Sequence, residues 1–184
     1  MMQLFLKSLL AATALGSISI ITTAQADDSA RTIRLHPAEG DAIALGTLST
    51  GPDGTFSIDW EDNLFADHFL SMRPFKCLEG PEKLWCRAPY PYDNPRRIEG
   101  DDTTDLEYDL IVVWKGAGEY GIDMWNGVHY VLSETDEGFE GVLHEVNLDL
   151  LASPPESAGD ILIRDVDLEE GDQDSHWLPR LTIE

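Results

Sequence analysis

The chain has 184 residues, with 35 acidic side chains against 12 basic ones, a formal net charge of −23 and 42% hydrophobic residues. Charge of that sign and size repels polyanions at long range, so neither nucleic acid nor an anionic lipid surface is an expected partner. The length suits one domain with a single sizeable core.

Residues 1–26 read as a cleavable secretory signal. Lys7 is the lone charge ahead of an apolar run from Ser8 to Ile21, and Ala24-Gln25-Ala26 puts small residues where a signal is cut, just before Asp27-Asp28. The run is short for a membrane span, and no later stretch is long and apolar enough to insert stably. The expectation is a signal peptide over 1–26, cleaved near Ala26, and a single β-rich domain over 27–184 in the periplasm or beyond it.

From there the apolar pattern runs mainly in period two. Phe56, Ile58 and Trp60 alternate with Thr55, Ser57 and Asp59, and Gly51-Pro52-Asp53-Gly54 is a turn, so a hairpin is predicted with an earlier strand at Ala42 to Ser49. Asn63 to Ser71 permits a short amphipathic helical turn, but Met72-Arg73-Pro74 reads better as an extended edge. Cys77 and Cys86 are close in sequence and destined for an oxidising compartment, which predicts one disulfide across a tight strand–turn–strand tip. Without a Cys-x-x-Cys or a second ligand pair, redox and structural zinc roles have no basis.

The segment around the disulfide is also basic and aromatic. Arg73, Lys76, Lys83, Arg87, Arg96 and Arg97 form an island in an acidic chain, either neutralising the acidic second half within the fold or presenting a binding surface. Arg73, Trp85, Arg87, Tyr90 and Tyr92 are the candidate binding residues, because Arg and aromatic side chains dominate recognition hot spots and Pro89, Pro91 and the disulfide restrain their backbone. Proline and aromatic clusters also close the ends of β-barrels and sandwiches, and that packing role is the favoured reading of the segment.

Leu106, Tyr108, Leu110, Val112 and Trp114 alternate, with Ile111 and Val113 on the opposite face, and predict a strand covered on both sides. Asn126-Gly127 between Tyr120 to Trp125 and Val128 to Leu132 predicts a two-residue hairpin with positive φ angles. Further strands are expected at Val142 to Leu150, Ile161 to Leu168 and Leu181 to Ile183, with a loop over 154–159. A four-residue loop from Thr135 to Gly138 would set His144 opposite His129, where paired imidazoles with a nearby acid bind a transition metal or titrate together, the alternative being two buried histidines satisfied by hydrogen bonds. Regularly spaced short strands and turns make the fold class all-β, a single-domain antiparallel β-barrel, with a β-sandwich as the alternative.

The acidic run near the C-terminus offers Asp165, Asp167, Glu169 and Asp172 as oxygen ligands for Ca²⁺, although Glu170 and His176 occupy the places where a calcium loop needs Gly and a bidentate acid. No Gly-x-Ser-x-Gly elbow, Ser-x-x-Lys pair or phosphate loop is present, so no catalytic residue is assigned and no cofactor beyond that Ca²⁺ is expected. The functional expectation is a secreted or periplasmic, non-catalytic binding protein for an unknown small molecule or protein. A periplasmic divalent-cation-binding protein using the acidic C-terminal half is the alternative, and a small secreted hydrolase the third.

Overall fold

The computed structural model describes residues 29–157 and 160–184. The expected signal peptide, 1–26, lies outside the described residues.

Alternating segments extend as expected. β1 (Ser29–His36) pairs with β2 (Ile43–Thr50), and β2 pairs with β3 (Phe56–Trp60) in the register Gly46↔Trp60 to Thr50↔Phe56. The turn between β2 and β3 closes on Asp53, whose Oδ1 accepts from the Thr55 amide at 3.2 Å and hydroxyl at 2.6 Å, while Gly54 takes φ +80°. A meander follows through β4 (Ala66–Phe69), β5 (Pro74–Glu79) and β6 (Lys83–Arg87). Met72 and Arg73 belong to the bend between β4 and β5; the edge strand is β4 itself. Cys77 sits directly opposite Cys86 in the β5–β6 ladder, and the two form the expected disulfide.

Several local expectations fail, two of them for reasons visible in the packing. Thr104–Asp109 is a helix, α1, and the strand β7 is confined to Val112–Gly116. Leu106 and Leu110, four apart, enter one apolar cluster, whereas Tyr108 enters the other, which is helical spacing mimicking alternation over a few residues. Asn126-Gly127 is no type I′ turn. Met124–Asn126 is a 3₁₀ turn capped by Asp123, Gly127 has φ −70° and opens β8 (Gly127–Thr135), and Tyr120 to Trp125 forms no strand. Gly127 is required by closeness instead: a Cβ there would run into the Val146 carbonyl and the Leu148 side chain.

β8 pairs with β9 (Gly138–Val146) through a tight turn at Thr135–Gly138, which places His129 opposite His144 as expected. After Val146 the chain leaves the sheet for a 3₁₀ turn, Leu148–Ala152, rather than continuing as strand to Leu150. The segment expected as a strand at Ile161 to Leu168 is a loop and a 3₁₀ turn, Asp165–Asp167, with strand β10 starting only at Leu168 (Leu168–Glu170). β11 (Arg180–Ile183) closes the chain order.

All pairings are antiparallel, and the strands run β3-β2-β1-β11-β9-β8-β7-β6-β5-β4, with β10 beside the far end of β9. This one sheet curls into a half-barrel. Leu45 and Leu35 from one flank and Leu78 and Trp85 from the other line the same interior crevice. The first and last strands, β3 and β4, are consecutive in the chain, joined through a 3₁₀ turn at Asp62–Leu64, yet they do not pair, so the barrel stays open. Beside β3, the Phe56 amide donates to the Arg96 carbonyl at 2.8 Å and the Ile98 amide to the Gly54 carbonyl at 2.9 Å, which covers one end of that edge.

The concave face is packed solid. Its crevice holds only about 10 Å³ among the described residues, near the minimum for one water and too little for a ligand. The convex side of β5 to β9 carries a second apolar cluster, covered by Tyr108, Leu148, Leu151 and Ile163. β6 and β7 are therefore buried on both faces, as the apolar residues on both sides of the 111–114 stretch require.

Candidate functional site

On the outer surface the Pro89–Pro95 segment lies between two clefts, with Pro91 on the wall of both. The first cleft, about 630 Å³, lies between the β4–β5 bend and the start of that segment on one side and the turns carrying Met124 and Leu148–Ala152 on the other. Its floor is apolar, from Phe75, Met124, Leu148 and Leu151, and its cations are Arg73, Lys76 and Arg87.

Four of the six basic island residues are committed within the fold. Lys76 pairs with Asp67 at 3.0 Å, Arg96 with Asp109 at 2.8 Å and Arg97 with Glu99 at 3.3 Å, while Lys83 donates to the Ser175 carbonyl and lies 4.1 Å from the Trp114 ring centroid. Arg73 and Arg87 have no carboxylate within ion-pair distance among the described residues. Arg73 is exposed, with its guanidinium 5.9 Å from the Phe75 ring centroid. Arg87 is half-buried, its guanidinium carbon 3.6 Å from the centroid of Trp60 and its Nε buried without a hydrogen-bond partner. Burial lowers the Arg87 pKa from its ordinary value, and the charges of Asp62 and Asp109 oppose that.

The remaining candidates separate. Trp85 is 1% exposed, opposite Trp114 in the β6–β7 ladder, and lines the interior crevice rather than a surface. Tyr90 and Tyr92 face the second cleft, about 710 Å³. Tyr90 stacks on Tyr108 with centroids 4.3 Å apart and meets Tyr92 edge-on at 5.4 Å, and the Tyr92 hydroxyl donates to the Leu151 carbonyl at 2.7 Å. Burial raises the Tyr90 and Tyr108 pKa values, so both hydroxyls stay protonated at neutral pH.

Beside the second cleft is a buried polar knot. His129, 3% exposed, contacts Glu107 Oε2 through Nε2 at 2.8 Å, while Glu107 Oε1 accepts from the Leu132 amide at 2.8 Å and the Thr103 hydroxyl at 2.9 Å. Burial alone raises the Glu107 pKa, but His129 and the two other donors outweigh it and hold the carboxyl below its ordinary value. His144, across the ladder from His129, turns its Nδ1 to the Val142 carbonyl at 3.1 Å. The two histidines are in register, and each has its own partner.

The proposed calcium ligands are dispersed in role. Both oxygens of Asp167 are held by Arg164, at 2.8 and 3.0 Å, and Asp172 accepts from the Asp174 amide to cap a 3₁₀ turn. Asp165 lies in the Asp165–Asp167 turn, and Glu169 on β10 sits opposite Glu145. Among the described residues, no three His, Cys, Asp or Glu side chains gather into a group able to hold an ion. No helix among them is long and apolar enough to cross a membrane.

The pattern of residues missed Tyr108, Asp93 and Asp105 as walls of the second cleft, and Met124 and Leu148 as floor of the first. The Pro-Tyr-Pro-Tyr-Asp run from Pro89 to Asp93 was the available signal for the segment between the clefts; the partners across the clefts come from distant segments and carry none. Compared with known proteins, the chain matches no family model, no curated protein and no solved structure.

Proposed function

We propose that the protein is a secreted, non-catalytic binding protein that takes a partly apolar anion in the cleft of Arg73 and Arg87. The observation that carries the reading is that Arg73 and Arg87, two of the five described cations without a carboxylate partner, line one cleft with an apolar floor, where Asp149, an acceptor for the Trp125 indole, is the one carboxylate among the described residues. In so acidic a chain a free guanidinium is normally claimed by a neighbouring acid. One that is instead stacked on an aromatic ring is pre-organised to meet a carboxylate, sulfonate or phosphate arriving from solvent. An apolar floor of this volume then supplies most of the affinity and the exposed Arg73 guanidinium the orientation.

The aromatic sulfonate 8-anilinonaphthalene-1-sulfonate combines both features and reports binding by fluorescence. The native protein is expected to bind it, and Arg73→Glu to weaken it at least about fivefold with an unchanged melting midpoint. Equal binding by native protein and Arg73→Glu refutes the assignment. Secretion is checked independently by intact mass: the exported protein should correspond to residues 27–184 less two hydrogens for the Cys77–Cys86 bond.

A further inference from the structure

The geometry points to a second site of opposite sign: we infer that the cleft walled by Tyr90, Tyr92 and Tyr108 binds a small organic cation through alkylammonium groups. Its first support is shape. Tyr90 and Tyr92 meet at 79° with centroids 5.4 Å apart, forming a corner of two aromatic walls, and Tyr108 stacks behind Tyr90 at 17° and fixes that wall. A cation seated over a tyrosine face is attracted by the ring quadrupole, most strongly when it is weakly hydrated, as an alkylated ammonium is.

The second support is the company those rings keep. Apart from the tyrosines, the ionisable groups lining this cleft are Asp93, Asp102, Asp105 and Asp160, and among the described residues no Lys, Arg or His shares the wall. None of the four forms an ion pair among the described residues. Asp102, Asp105 and Asp160 accept only from the backbone amides of Thr104, Arg97 and Ser157. Carboxylates alone would suit Ca²⁺ equally, but they are not gathered into a metal group, and a tyrosine corner gives nothing to a hydrated metal ion. The volume, about 710 Å³, is in the range of small-molecule sites. Aromatic corner and distributed negative charge together select choline-like or polyamine-like ligands. The two clefts take probes of opposite charge, so either assignment fails or survives without the other.

The test titrates choline, spermidine and Ca²⁺ into the native protein by calorimetry at matched ionic strength. Choline and spermidine are expected to bind. The double variant Asp93→Asn/Asp105→Asn, which keeps every accepted hydrogen bond, is expected to lose about tenfold in spermidine affinity. Tyr92→Leu should lose about fivefold for choline and Tyr92→Phe should keep it, since the ring and not the hydroxyl makes the contact. If Tyr92→Leu fails to fold, saturation transfer from tyrosine ring protons to the choline methyls in native protein reads the same contact. No binding, native affinity in the Asp or Tyr92→Leu variants, absent transfer, or Ca²⁺ displacing choline as effectively as spermidine would each overturn the inference.

Discussion

Removing the Glu107 carboxylate tests the central polar contact between α1 and the sheet. In Glu107→Ala two donors lose their acceptor, His129 Nε2 on a ring whose side chain is 4% exposed and the Leu132 amide, while the Thr103 hydroxyl is free to rotate elsewhere. At about 1–3 kcal/mol for each of the two stranded buried donors, the expected loss is about 2–6 kcal/mol, or roughly 4–24 °C in melting midpoint for a domain of this size. Glu107→Gln keeps an acceptor for Leu132 and forfeits the charge, which should cost only about 1–2 kcal/mol.

The pH dependence separates the two further. Because the folded pKa of Glu107 lies below its ordinary value, the unfolded chain takes up the proton first as the solution is acidified. The stability this group contributes is complete above the ordinary glutamate pKa of about 4.3 and is lost as pH falls through that value toward the depressed folded one. Urea unfolding followed by circular dichroism between about pH 5 and about pH 3, across and below the ordinary glutamate pKa, should show native protein losing stability more steeply than Glu107→Gln. A loss below about 1 kcal/mol in Glu107→Ala, or identical pH slopes, would refute the assignment.

Gly127→Ala should destabilise by about 1–3 kcal/mol through collision with the Val146 carbonyl and Leu148, whereas Asn126→Ala should stay within about 0.5 kcal/mol, and chemical denaturation ranks them. The reverse ranking would restore the type I′ hairpin. Cys77→Ser/Cys86→Ser should lose about 2–3 kcal/mol in the same assay, the loop-closure value for so short a ring, and an unchanged midpoint would contradict it. Arg87→Ala should lower the thermal midpoint, because its guanidinium packs on Trp60 and Phe65, while Arg73→Ala should leave it alone; equal melts would show that the first has no packing role.

Alternation over Phe56 to Trp60 sufficed to predict β3 and its hairpin, because a period of two admits only one half-buried extended arrangement. The spacing of Cys77 and Cys86 likewise predicted their bond, and the tight turn at Thr135–Gly138 predicted the His129↔His144 register, both being local constraints. Leu106 to Leu110 shows where local pattern stops: three apolar residues at alternate positions fit one strand face or one short helix, and only the two separate clusters awaiting Leu106 and Tyr108 decided for helix. Asn126-Gly127 fits a hairpin turn by intrinsic φ preference, but the crowding of Val146 and Leu148 against Gly127 decided otherwise. The binding residues divided for the same reason. Trp85, Arg87 and Tyr90 are near neighbours in the chain, but Trp85 lines the packed interior, Arg87 reaches from interior to first cleft, and Tyr90 faces the second. Composition and period determined the sign of the charge and those strands whose alternation had no helical reading, β3 among them; the curl of the sheet, which no local run of residues encodes, decided which side chains share a cleft.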